Sequence, residues 1–262
     1  MAFKNHMDRI NKILLVLLLL LASCRGKEDV IVPEIPIVDS LPANPLISAH
    51  FTFYYTPLDS ATIIGVADSL EGHYERVITD LGSGNLPMVH VYFYGSFDSL
   101  AAAVSDVAPN LPSWAIGLAT AEDQIHMLSP NDPNYDFQYM FTNLVHEFAH
   151  CVSWHINPSI GNNPRWLWES TAIFEGGQFV DPHNISYLIA QDPPTLLELN
   201  SMSNTMVYDV GFLIGEYITE AWGYVQLQEL ISNNGNILLT LGMTNSEFRW
   251  AWFQFVKDKY GI

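Results

Sequence analysis

The chain has 262 residues, 49% of them apolar, and 28 Asp+Glu against 10 Lys+Arg give it a formal charge of −18. That balance excludes nucleic-acid binding through phosphates, and two cysteines exclude a disulfide framework. The length suits one domain with a sizeable core, and no internal repeat or low-complexity run divides it.

Lys4, Arg9 and Lys12 precede an apolar run from Ile13 to Ala22. A basic segment followed by so short a run reads as a secretory signal, too short to span a bilayer stably. The run ends Leu21-Ala22-Ser23-Cys24, which resembles the lipobox of bacterial lipoproteins, where cleavage leaves the cysteine as an acylated N-terminus. The resemblance implies a signal peptide over residues 1–23, acyl chains on Cys24, and a membrane as partner through that anchor. Arg25 stands where an Asp typically retains lipoproteins in the inner membrane, and Lys27-Glu28-Asp29 follows. An exported outer-membrane lipoprotein, on the periplasmic or the cell-surface side, is therefore expected. Residues 30–47 hold four prolines and no glycine, so 24–47 reads as an extended tether. Processing at Cys24 leaves 7 Lys+Arg and 27 Asp+Glu, a charge of −20 that favours solubility over association.

The domain itself is expected over 48–262. Residues 50–56 alternate, with Phe51, Phe53 and Tyr55 on one face, and predict a strand. Ile63, Val66, Leu70, Tyr74, Val77 and Leu81 keep helical spacing, and Gly82-Ser-Gly-Asn closes that helix. A second strand is predicted from Pro87 to Tyr94, a helix from Phe97 to Val107, and one or two further strands within 114–128. A long helix follows from near Phe137 to Trp154. Beyond Gly161 the pattern is mainly helical, and Thr244 with Glu247 makes a capping box ahead of Phe248, Trp252, Phe255 and Val256.

Inside the long helix stands His146-Glu147-Phe148-Ala149-His150, an H-E-x-x-H motif. The two histidines are one helical turn apart, so both imidazoles leave one face, where their neutral nitrogens can hold Zn²⁺ at roughly 2.0–2.1 Å. Zinc brings the pKa of a water to about 7, and the neighbouring Glu147 can take its proton as the water attacks a carbonyl. The segment from Tyr139 to Trp154 is too apolar all round for a solvated face, so the group is expected to be at least partly buried and in need of a partner such as a metal. Cys151, beside His150, reads as a small core residue. No G-x-S-x-G suggests a serine enzyme.

A catalytic zinc keeps three protein ligands and one open position. The metzincin pattern is excluded: Ser153 stands in place of its Gly, Ile156 in place of its third His, and His155 is one residue out of register. The next acid is Glu169, with 18 residues between it and His150, in Trp166-Leu167-Trp168-Glu169-Ser170-Thr171-Ala172. That segment resembles the W-L-x-E-G-x-A block of the gluzincin metallopeptidases, in which the Glu is the third ligand; Ser170 replaces the usual Gly. Glu175 competes, but lies six residues further, about 240° round a helix, and Gly176-Gly177 then reads as a helix stop.

Two further segments are similar to helices of small peptidase domains in this group, Tyr208 to Gly223 and Leu241 to Trp250. The resemblance implies an α+β, zincin-like fold. A mixed N-terminal sheet with helices (48–158) precedes a mainly helical half (159–262), and the zinc cleft lies between them. It implies a zinc metallopeptidase (a hydrolase) with His146, His150 and Glu169 on the metal and Glu147 as general base. A peptide or protein substrate would lie extended along the edge strand near Trp114 to Thr120, with main-chain contacts at Gly117 and Leu118. The zinc aminopeptidases of the group carry an acid there that captures the amino terminus; Trp-Ala-Ile-Gly-Leu-Ala-Thr has none, so endopeptidase activity is expected.

Gluzincins also use a Tyr or His from the helical half to stabilise the developing oxyanion. Tyr208 stands at the matching place, whereas His183 lies in a turn-like Asp-Pro-His-Asn; the competing reading makes Tyr208 a core residue. The rival function is a non-catalytic surface lipoprotein that binds peptide or glycan on a zincin fold. A structural zinc fails on ligand count, because such sites are closed by four protein ligands. Acylation at Cys24 has a direct test. Cys24→Ser is expected to release the protein from the membrane fraction or to block its processing, and mass spectrometry showing an unmodified mature N-terminus elsewhere would remove the assignment.

Overall fold

The computed structural model describes residues 45–262. The expected signal segment, Cys24 and residues 24–44 of the expected tether lie outside the described residues. The last residues of that tether form a strand, so the folded part begins before residue 48: β1 (Leu46–Ile47) pairs antiparallel with β2 (Phe51–Tyr54), Leu46 opposite Phe53.

Five strands form one mixed sheet. β3 (Val89–Tyr94) runs parallel to β2, β5 (Gln124–Leu128) parallel to β3, and β4 (Gly117–Ala121) antiparallel to β5, giving the order β1-β2-β3-β5-β4 with β4 at the free edge. Strand alternation sorts the side chains. Phe51, Phe53, Val89, Val91, Phe93, Ile125 and Met127 are fully buried on one face. On the other, Tyr54, Tyr92 and His126 stand directly opposite one another, their rings stacked 4.6 and 4.9 Å apart.

Two long helices join the buried face to the core. α1 (Ile63–Leu81) buries Ile63, Val66, Leu70, Tyr74, Val77 and Leu81, as its spacing predicts, and stops at Gly82, whose φ of 71° is left-handed. α2 (Phe97–Ala103) is shorter than the expected 97–107: Val104 leaves helical geometry, and the Val-Ser-Asp-Val-Ala-Pro that follows supplies β-branching, side chains that compete for the backbone, and a proline. α3 (Phe137–Ile156) is capped by Asp136, whose carboxylate accepts the N–H groups of Gln138 and Tyr139. The predicted strand over 50–56 ends at Tyr54, because Thr56 turns the chain by donating its N–H and hydroxyl to buried Asp59.

The remainder is helical: α4 (Arg165–Glu175), the short α5 (Ser186–Ile189) and α6 (Leu196–Asn200), α7 (Met206–Trp222), α8 (Tyr224–Ser232), α9 (Ile237–Leu241) and α10 (Asn245–Tyr260). The capping box of Thr244 and Glu247 opens α10. Phe248, Trp252 and Val256 are buried there together with Phe253; Phe255 is half-buried against Tyr217. The chain is thus α+β, a mixed sheet with helices followed by a mainly helical half. No described helix is long and apolar enough to cross a membrane.

α4 lies against α3 on one side and α7 on the other. Gly211 and Gly215, one turn apart on α7, permit the second approach: a Cβ at Gly211 would fall 2.6 Å from Ile173 Cδ1 and 3.2 Å from Ser170 Cα, and one at Gly215 would fall 2.5 Å from Phe174 Cβ. Gly211→Val should push α7 off α4 and cost about 1–3 kcal/mol by overpacking, read by denaturant unfolding. An undiminished midpoint would mean that the helices can separate freely.

Candidate metal centre

α3 projects His146 and His150 from one face, their rings 4.6 Å apart and nearly perpendicular at 88°. α4 brings Glu169 to both: its Oε2 lies 3.5 Å from His146 Nε2 and 3.8 Å from His150 Nε2. All three side chains are buried, and their ligand atoms lie within 4.8 Å of one another. Tetrahedral coordination with bonds of roughly 2.0–2.1 Å sets neighbouring ligand atoms about 3.3 Å apart, so small side-chain shifts would close this group on an ion. Two imidazole nitrogens and one carboxylate oxygen leave a coordination position open. The group could hold a metal ion.

The surroundings orient the ligands. His146 Nδ1 donates to Gln178 Oε1 at 2.8 Å, which leaves the Nε2 lone pair for a metal. Gln178 arrives there because α4 ends at Gly176-Gly177, the second with φ of 68°, and the chain turns back with Gln178 N–H on Ile173 C=O. Gly176 also allows close packing on α3; a Cβ on it would lie 2.8 Å from Thr142 O and 3.3 Å from His146 Cβ. His150 is held by packing instead: its ring stacks on Trp168 at 4.0 Å and 8°, and Trp154 meets Trp168 at 60°.

Charge is distributed unequally between the two rings. Burial disfavours a proton on His146, but its bond to Glu169 and the charges of Glu147 and Glu169 outweigh that and raise its pKa. Burial and the neighbouring His146 charge push His150 well down. Glu147 is buried beside them. Burial, opposed by the His146 charge and reinforced by Glu169, raises its pKa to about 7, while its Oε2 accepts the main-chain N–H of Ala119 at 2.7 Å.

Glu175 faces the other way. Its carboxylate pairs with Arg76 of α1, which also donates to the Glu175 carbonyl, and burial raises its pKa to about 7. It is not part of the metal group.

Tyr208, at the start of α7, is half-buried next to the cluster. The Arg165 guanidinium lies 5.3 Å from its ring centre and Trp114 meets it edge-on at 5.6 Å. Burial and the charge of Glu169 raise its pKa, so the phenol keeps its proton and remains a donor. Arg165, one turn before Glu169, gathers the carbonyls of Ser201 (2.9 Å) and Asn204 (2.7 Å) and so ties the segment leading into α7 to the start of α4. His183 is exposed and bonded to Asp181. Gly117 and Leu118 sit in the edge strand β4, and Cys151 is a buried free thiol near Ala121 O.

Gln178, Arg165 and the Ala119 amide were not legible in the sequence. Each acts across a turn or a strand with no spacing pattern linking it to the histidines. Only the Gly-Gly stop hinted that the chain reverses just before Gln178. No protein-family model, curated protein or solved structure matches the chain.

Gln178→Ala should weaken metal binding about 10–100-fold, and Glu169→Ala should abolish stoichiometric metal after dialysis. Glu175→Gln should keep it. Between the ordinary 4.5 and about 7 the folded state holds a proton on Glu175 that the unfolded chain has released, so wild-type stability falls as pH rises through that window. Glu175→Gln should flatten that slope in melting temperature against pH, and loss of metal in this variant would reopen the ligand assignment.

Proposed function

We propose that the chain is a zinc-dependent metallopeptidase of gluzincin type that cuts within peptide chains, anchored to the outer membrane through acylated Cys24. The observation that carries this reading is the position of Glu147. Its carboxylate lies beside a three-ligand group and is bonded to the free edge strand, where an extended peptide would come to rest. Two imidazoles and a carboxylate with one open position are the donor set of catalytic zinc.

When bound, zinc supplies Lewis acidity that polarises a carbonyl and makes a water acidic enough to attack near neutral pH. Glu147 takes the proton of the attacking water and passes it to the leaving amine. Tyr208 donates its phenolic proton in a hydrogen bond to the carbonyl oxygen as negative charge collects there, an interaction worth more in the transition state than in the ground state. Gln178 and Trp168 keep the two histidines in place.

Cutting within a chain, rather than at an amino terminus, fits the acids present. The acid nearest β4 in sequence, Glu122, sits on the exposed turn after the strand and pairs with His155 at 2.7 Å.

Glu147→Gln should retain zinc and lose hydrolysis by about 10²–10⁴-fold. Tyr208→Phe should lower kcat by about 10²–10³-fold with metal content and melting temperature little changed. Cleavage mapping on a diverse peptide pool supplies the assay. Full zinc with no turnover in the wild type would favour a binding module.

A further inference from the structure

β4 offers few outward donors. Leu128 N–H bonds to Ile116 C=O, and in an antiparallel ladder both main-chain groups of a residue point to one side, the side alternating along the strand. Ile116 and Leu118 therefore face β5, while Gly117 and Ala119 face the free edge. The pairing becomes irregular between Ala119 and Ala121, so this alternation ends there. Of the two outward residues, Ala119 already spends its N–H on Glu147 Oε2. Glu147 Oε1 has no hydrogen-bond partner among the described residues, and a Cβ at Gly117 would lie only 3.5 Å from Glu147 Cγ, so this carboxylate lies directly against the edge.

Resting on the peptidase reading, we propose that Ala119 is a positioning residue. Its main-chain N–H fixes one oxygen of Glu147 and leaves the other to handle the proton, so that the outward groups of β4 are divided between base and substrate. A glutamate side chain has three rotatable bonds, and a single bond to a rigid strand removes most of that freedom before substrate arrives. The substrate's share of the edge is then small: the N–H and C=O of Gly117 and the C=O of Ala119. An added peptide strand makes one complete residue pair, at Gly117, and Leu118, turned into the ladder, offers it only a side chain. Recognition rests on one stretch of extended main chain with a free N–H, and lengthening a peptide beyond it adds little ladder pairing.

Two measurements on the full protein test this. In the first, amide hydrogen exchange at Ala119 should be slow in the wild type, although this amide points away from the sheet. Glu147→Ala should speed it at least about tenfold while Ile125 in the central ladder stays protected. Unchanged exchange at Ala119 would overturn the proposal whatever the activity. In the second, lactic acid in place of Ala119 turns the amide into an ester and deletes this N–H. With metal content and melting temperature unchanged, kcat should fall about 10²-fold and KM stay within a few-fold, the cost of a misplaced catalytic group. A raised KM with unchanged kcat would assign the N–H to substrate and refute the positioning role. Wild-type protein with full zinc and no hydrolysis would instead sink the peptidase reading, while exchange at Ala119 would still decide whether this amide holds Glu147.

Discussion

The distance from Glu169 to the two imidazoles governs how closely α3 and α4 must lie, and much of the fold serves that approach. Three titratable side chains are buried together in an apolar frame, which is tolerable only if they share protons with one another or surround an ion. Glycine removes the obstacles on both sides of α4. Gly176 lets its C-terminal end reach the backbone of α3, and Gly211 with Gly215 lets α7 press on its opposite flank. The sheet fixes α3 in turn, because the apolar face of the strands packs beneath Leu144, Phe148 and Val152.

Legibility followed the range of the interaction. His146, Glu147 and His150 are set by one helix period, whereas Glu169 was reached through the resemblance of its segment to a family block, with a spacing that suits a second helix returning beside the first. The same geometry turned Glu175 away: six residues past Glu169 it meets Arg76 on α1. What escaped were contacts with no period. Gln178 depends on a left-handed glycine reversing the chain, the Ala119 amide on strand register, and β1 on two residues finding an edge inside a stretch whose prolines suggested a tether. The helix expected over 97–107 stops after Ala103, where β-branched and hydroxyl residues favour other backbone conformations.

Among the described residues, four of the five cations are used internally. Arg76 binds the Glu175 carboxyl and carbonyl, Arg165 binds carbonyls under Tyr208, Arg249 closes on Pro193 and Asp192, and Lys259 pairs with Glu216 and Glu220. With these four committed to internal contacts, most of the described acidic excess is left to the surface. The long-range field therefore repels polyanions and draws cationic groups, weakening as salt screens it.

The stack of Trp168 on His150 has an optical consequence. An indole face 4.0 Å from an imidazole, parallel to within 8°, senses any change in that ring's charge, whether it comes from a proton or from a coordinated ion. Trp154, edge-on to Trp168, offers a second indole through which excitation can move. Seven tryptophans share the emission of the whole chain, but only one of them lies flat on a ligand of the metal group. Its fluorescence makes the site self-reporting: were an ion added or stripped, light emitted beside the His150 ring would follow the change, with no label and no substrate.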